Sequence, residues 1–189
     1  MVKKRKLSFN LIIGGIFTGL ILLLILVGLF AMPYDPEAMD STLKFAPVSL
    51  QHLMGCDNFG RDIFSRVLQG TTMTLLIATG TVFIGTIAGI LIGAFTGYFG
   101  GWLDELLMRI IDAVFAFPSI LLALVMISLF GSGKWNVTVA LGIAFIPSFA
   151  RIVRSEFMYQ KNLDYVKSAR LMGAGHFRIM FVHILPNIL

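Results

Sequence analysis

The 189 residues are 57% hydrophobic and only 13% charged, with a mean hydropathy of +0.88. A water-soluble domain carries about 25% charged residues, so this composition argues against one, and several apolar runs of about 20 residues indicate an all-α, polytopic membrane protein. The net charge of +5 is segregated along the chain, which is a topology signal and not a nucleic-acid footprint.

Residues 1–10 contain Lys3, Lys4, Arg5 and Lys6 and are expected to form a cytoplasmic basic N-terminus. The run 11–32 reads as the first transmembrane anchor. It exceeds the roughly 7–15 apolar residues of a signal-peptide core, and its exit, AMPYDP, offers no small-x-small cleavage site. Residues 33–69 form an extracytoplasmic segment with Pro33, Pro36 and Pro47 and an excess of acidic side chains. Residues 70–189 form a transmembrane region, with spans expected at 71–97, 106–130 and 137–153. Four crossings return the chain to the cytoplasm, where Arg151, Arg154, Lys161, Lys167, Arg170 and Arg178 outnumber Glu156 and Asp164. Span count and charge distribution therefore agree on a cytoplasmic N-terminus and a multi-pass location in the lipid bilayer.

Within the second span, Gly85, Gly89, Gly93 and Gly97 recur every fourth residue. On a helix they make a strip without side chains, suited to close approach by another helix, although glycine is also common in membrane helices generally. Pro118 and Pro147 lie inside the third and fourth spans and can kink them. Arg109 and Asp112 are spaced for an i, i+3 pair at a membrane boundary.

Catalytic chemistry is not visible. No GxxxxGK[ST] phosphate loop occurs, and GSGK at 131–134 lacks its spacing. His52, His176 and His183 show no metal-ligand spacing, and the single Cys56 excludes an intrachain disulfide or a multi-cysteine site. Cys56 is expected to pack as a small apolar side chain. The spans contain almost no ionisable groups, which disfavours an ion-coupled carrier. No cofactor is implied, and any energy for transport comes from another subunit.

The last segment, DYVKSARLMGAGHFRIMFVHILPNIL, is basic and interrupted. Asn162 or Asp164 suits a helix start. Tyr165, Ala169 and Met172 share one face. Gly173 is placed to end the helix in a left-handed conformation, after which a second helix returns to the membrane. Such an element suits either a groove on a protein partner or an anionic lipid surface.

The pattern KSA-x3-G-x9-H-I-L-P from Lys167 to Pro186 resembles the EAA motif (EAA-x3-G-x9-I-x-L-P) of bacterial ABC importer permeases. Ala169, Gly173, Leu185 and Pro186 match. Lys167 stands where the family often has glutamate, Ser168 where it has alanine, and His183 where it has isoleucine. The resemblance implies that residues 163–173 form the coupling helix that docks on the ATPase, through its turn geometry and not through an acidic contact. HLMGCDNFGRDIFSRVLQGTTMTLL (52–76) is similar to the HxLGTDxxGRDxxSRxxxGxxxSL signature of the dipeptide, oligopeptide and nickel subfamily. Its matching residues include Gly55, Asp57, Gly60, Arg61, Asp62, Ser65 and Arg66, and Cys56 replaces the common threonine. Residues 97–124 and 147–156 continue the likeness.

A type I ABC importer permease fold of six spans is implied, of which four are present, so a C-terminally truncated chain is expected. The implied partners are a homologous second permease, two cytoplasmic ABC ATPase subunits and an extracytoplasmic solute-binding protein in a bacterial plasma membrane. ATP hydrolysis would reside on the ATPase subunits, so the chain itself is no enzyme. The implied solute is a di- or oligopeptide, with nickel or a metal chelate as the alternative, and no residue is assigned to substrate. The cluster at 57–66 reads first as ion pairing that fixes the start of the second span, and second as a receptor contact. A non-transporting membrane adaptor or inactive fragment is the rival from another class.

Overall fold

The computed structural model describes residues 9–131 and 133–188, so the basic cluster at Lys3–Lys6 lies outside the described residues. Among them the chain is helical, and its sole β feature is an isolated antiparallel bridge between Cys56 and Asp62. Two compact units are present, residues 1–76 and 77–189, with the boundary inside one long helix.

In the first unit, α1 (Phe9–Phe30) is an uninterrupted apolar helix that stops just before Pro33, because proline disfavours helical geometry in the residue preceding it. Its side chains are largely exposed, as expected where lipid or protein partners replace a water-excluding core. Gly28 makes a close approach: a Cβ there would lie 2.8 Å from Thr72 Oγ1 and 3.0 Å from the Leu68 carbonyl. Residues 31–62 form a loop with one short 3₁₀ turn (Ser41–Leu43), started by Asp40, whose carboxylate accepts from the Thr42 N–H at 2.9 Å. Helix α2 (Ile63–Phe99) starts eight residues before the expected second span, because Asp62 caps it.

The second unit contains the rest of α2, then α3 (Gly101–Phe115), α4 (Ser119–Phe130), α5 (Lys134–Gln160), α6 (Asp164–Leu171), and a final helix of three pieces. These pieces are α7 (His176–Arg178), a π-helical turn (Ile179–Ile184) and α8 (Leu185–Ile188). Gly100 (φ 69°) separates α2 from α3, whose first residue, Gly101, is also at positive φ (65°), so the stretch between the expected second and third spans is a tight turn into an amphipathic helix. The expected third span is not one straight helix. It breaks by 86° between α3 and α4, because Pro118 forces the preceding residue out of helical geometry. Pro147 has the opposite outcome: α5 runs through it as one helix, longer than the interval 137–153. Among the described residues three helices are long and apolar enough to cross a membrane, or four if the bent α3–α4 pair counts as one span.

The core of this unit gathers Ala94 and Tyr98 of α2, Val153 and Phe157 of α5, Val166 of α6, and Ile179, Met180 and Ile184 of the π-helical turn. Helix α6 and its turn are therefore seated on packed apolar side chains.

Candidate functional site

The structure gathers the residues of functional character into three groups. The first is in the loop before α2. Asp57 is its hub: its carboxylate accepts from the Phe59 and Arg61 backbone N–H groups at 2.8 and 3.1 Å. It also accepts from Arg61 Nε and Arg66 Nη1, both at 2.9 Å. Gly60 allows this closure, with φ +76° and the Asp40 backbone so close that no side chain fits. Gly55 (φ +71°) likewise lies against the Ala46 carbonyl. Burial alone would raise the Asp57 carboxyl, but the two N–H donors and the Arg61 guanidinium outweigh it and hold it below the ordinary carboxylate range.

Asp62 is 4% exposed and does not pair with its neighbour Arg61. One oxygen accepts from the Ser65 N–H at 2.7 Å, capping α2, and the other meets His52 Nδ1 at 2.9 Å. Burial opposes ionisation of Asp62 too. The Ser65 N–H and the His52 and Ser65 side chains overcome it, so this carboxyl is also held low. The Ser65 hydroxyl accepts from the Tyr34 N–H at 3.2 Å, and the Tyr34 ring lies 4.8 Å from that of His52. Cys56 is buried beside this pair, paired through the backbone with Asp62.

The second group is the glycine strip. Gly85, Gly89, Gly93 and Gly97 all face α5. Added Cβ atoms would meet Phe145 Cβ at 3.2 Å from Gly85, the Ala150 carbonyl at 2.5 Å from Gly93, and the Arg154 carbonyl at 2.6 Å from Gly97. At Gly89 a Cβ would collide with Phe149. Space requires glycine at 89, 93 and 97 and is tight at 85, since all four sit in ordinary helical geometry.

The third group is α6 and its turn. No side chain caps the start, which falls at Leu163, so neither Asn162 nor Asp164 takes the capping place; Asp164 sits in the first turn. The end is a complete Schellman motif: the Ala174 N–H donates to the Ala169 carbonyl and the Gly173 N–H to that of Arg170, both at 3.0 Å, with Gly173 at φ +84°. Val166 and Ala169 form the buried face. Tyr165 and Met172 do not join it, because the helix ends at Leu171 and turns Met172 outward. Ser168, Lys167 and Arg170 are exposed, and Lys167 Nζ meets Asp164 at 3.1 Å. Leu171 and Met172 project almost fully, at 89% and 82% exposure. In the returning helix His183 and Leu185 are half-buried and Pro186 is exposed. Pro186 lacks the N–H that would continue the ladder, and the wide π turn lies immediately upstream.

Several anchors of this element were not apparent in the sequence. Lys161 Nζ donates to the Gly97 carbonyl at 2.7 Å, a cation at the C-terminal end of α2. Tyr98 Oη and His176 Nδ1 lie 3.0 Å apart, tying that same end to the start of α7. Arg154 grips Asp104 through two bonds of 2.6 and 2.7 Å, joining α5 to α3. The expected Arg109–Asp112 pair is replaced. Asp112 instead takes Arg151 at 2.7 Å, with that guanidinium also 4.1 Å over the Phe115 ring, while Arg109 reaches Glu105 at 3.4 Å. Partners 39 and 50 residues away leave no local signal.

Residues 89–189, just over half of the chain, match the family described as binding-protein-dependent transport system inner membrane component. The chain belongs to this family. The matched interval of this inner membrane component holds three of the four strip glycines and the whole of α3 to α8. Among curated relatives, the glutathione transport system permease protein GsiD of Pectobacterium atrosepticum is 43% identical over 175 residues, covering 92% of this chain and 58% of that protein. Its namesakes in Escherichia coli and Shigella sonnei are each 46% identical over 172 residues, covering 88% of this chain and 56% of theirs. The chain thus spans a little over half the length of these relatives.

Proposed function

We propose that this chain acts as a permease subunit of an ATP-driven, binding-protein-dependent importer for small peptides, glutathione among them. The observation that carries this reading is the docking element inside the matched interval. A short helix is seated by Val166 on a packed core, with Ala169 also buried, and is ended by a Schellman turn at Gly173, and it presents Lys167, Arg170, Leu171 and Met172 outward. A rigid base with a projecting apolar and cationic tip suits insertion into a groove of a cytoplasmic ATPase. Lys167 gives the tip a positive edge where the motif often carries glutamate.

In this reading the N-terminus is cytoplasmic, the loop 33–62 is extracytoplasmic and faces the solute-binding protein, and the glycine strip holds α2 against α5 while the bundle moves. A second homologous permease and two ATPase subunits complete the machine. ATP-driven closure of the ATPases displaces α6. Lys161, Tyr98–His176 and Arg154–Asp104 then pass that displacement to the ends of α2 and α3. Residues 163–173 are the coupling helix, and Leu185–Pro186 mark the return towards the membrane. Peptide is favoured over nickel by the substrate in the relatives' names.

Co-expression of the chain with the second permease and the ATPases of its own system tests this. The wild-type chain should retain the ATPase through purification, and Gly173→Val should reduce the retained amount about 5–30-fold. That range corresponds to roughly 1–2 kcal/mol for forcing a β-branched side chain into left-handed geometry. Equal retention by Gly173→Val, or none by the wild type, refutes the coupling role.

A further inference from the structure

We propose that His52, Cys56 and Asp62 together form a binding site for a divalent cation of the zinc class. The potential ligand atoms (an imidazole nitrogen, the thiol sulfur and a carboxylate oxygen) all lie within 4.8 Å of one another. The sequence spacing of these residues matches no metal motif. The loop's own folding brings them together.

The backbone shows how. Cys56 N–H donates to the Ala46 carbonyl at 3.0 Å, and Cys56 and Asp62 face each other across an antiparallel bridge. The Asp57 N–H donates to the Arg61 carbonyl at 3.0 Å and the Ile63 N–H to that of Gly55 at 3.1 Å, closing the turn between the two residues. His52 is held from the other side by the Tyr34 ring and by Asp62 itself. Three donors on a loop already tied to the start of α2 need little ordering to bind a metal.

Donor chemistry selects the cation. One sulfur, one nitrogen and one oxygen suit zinc, cobalt or cadmium, whereas magnesium and calcium prefer oxygen alone. A thiolate and a carboxylate beside a neutral imidazole would balance a 2+ charge. Tetrahedral zinc with bonds of about 2.0–2.3 Å sets its ligands about 3.3–3.8 Å apart. His52 Nδ1 and Asp62 Oδ1, at 2.9 Å, are already near that spacing, with the metal taking the place of the shared proton. The sulfur has to close by about 1.3 Å at most, since sulfur and nitrogen or oxygen ligands of tetrahedral zinc lie about 3.5–3.6 Å apart.

A fourth ligand can come from water, since a cavity of about 360 Å³ opens beside Asp62, next to Tyr34 and Leu53. The bound ion would pin the loop to the helix start, adding to the hold of Asp57 on Arg61 and Arg66. This site stands on the loop geometry alone and does not depend on the coupling role of α6.

Cys56 is the chain's single cysteine, so any thiolate-to-cobalt charge-transfer band must come from it. The tag-free, reduced chain in lipid nanodiscs is titrated with Co²⁺, then with Zn²⁺ in competition. The expected result is a charge-transfer band saturating at one equivalent and displaced by zinc. It should be absent in Cys56→Ser and weakened at least about tenfold in affinity in His52→Gln and Asp62→Asn, since losing even an outer-shell partner costs 10–100-fold. No band in the wild type overturns the proposal. So does an unchanged cobalt affinity in His52→Gln, which would mean a bare thiol adduct. Far-UV circular dichroism checks folding. If Asp62→Asn loses its helix start, His52→Gln, which leaves the cap intact, decides the question.

Discussion

Replacing Gly93 by alanine tests the close packing of α2 on α5. The added methyl would lie 2.5 Å from the Ala150 carbonyl oxygen, 2.8 Å from Val153 Cβ and 2.9 Å from the Arg154 nitrogen. Two of these three are backbone atoms of a helix, so no side-chain rotation relieves the clash. Reaching ordinary contact requires the helices to separate by about 0.9 Å at this level, and overpacking of that kind costs about 1–3 kcal/mol. Alanine is also the better helix former, by about 0.8–1.0 kcal/mol, which works in the opposite direction. Gly70→Ala removes that ambiguity. Gly70 lies in the same helix with nothing within 4 Å of a built Cβ, so it gains the propensity and meets no clash. The difference between the two variants therefore isolates the packing cost, and Gly93→Ala should be less stable than Gly70→Ala by about 1–3 kcal/mol. Thermal unfolding of both in the same nanodisc, followed by circular dichroism, measures it. If Gly93→Ala equals or exceeds Gly70→Ala in stability, the helices do not approach as closely as the structure shows.

The loop before α2 should loosen on acidification. Asp57 and Asp62 both have folded pKa values below the ordinary carboxylate value of about 3.9. Their stabilisation is thus complete above about pH 4 and is lost as pH falls through the depressed values. Hydrogen exchange at the Phe59, Arg61 and Ser65 amides, corrected for intrinsic rates, should lose protection as pH falls below about 4, and protection that instead grows on acidification contradicts the assignment. A double-mutant cycle of Asp104→Asn with Arg154→Gln should give a coupling of about 1–2 kcal/mol, since the pair is bidentate but partly exposed. The exposed Glu105–Arg109 pair should give about 0.5 kcal/mol or less in the same measurement. Equal couplings would show that the Arg154 clamp contributes no more than a surface pair.

The sequence by itself determined the class of the protein. Apolar runs longer than a lipid core is thick must be helices, because backbone polar groups find no other partners there. Local chemistry was legible as well. Gly173 ends α6 because glycine alone enters left-handed geometry without penalty, and the order of motifs from His52 to Pro186 pointed to the transport family.

Only the tertiary structure decided which partners those local features meet. It turned the proline at 118 into an 86° break and left the one at 147 inside a continuous helix. It drew Asp112 away from Arg109, three residues distant, to Arg151, and it chose Val166 over Tyr165 for the core. It also set His52, Cys56 and Asp62 side by side across a turn whose closure depends on Asp57 and two glycines. Helix periodicity reports which residues share a face. Which face is buried, and which charges meet, depends on chain segments tens of residues apart that only folding brings together.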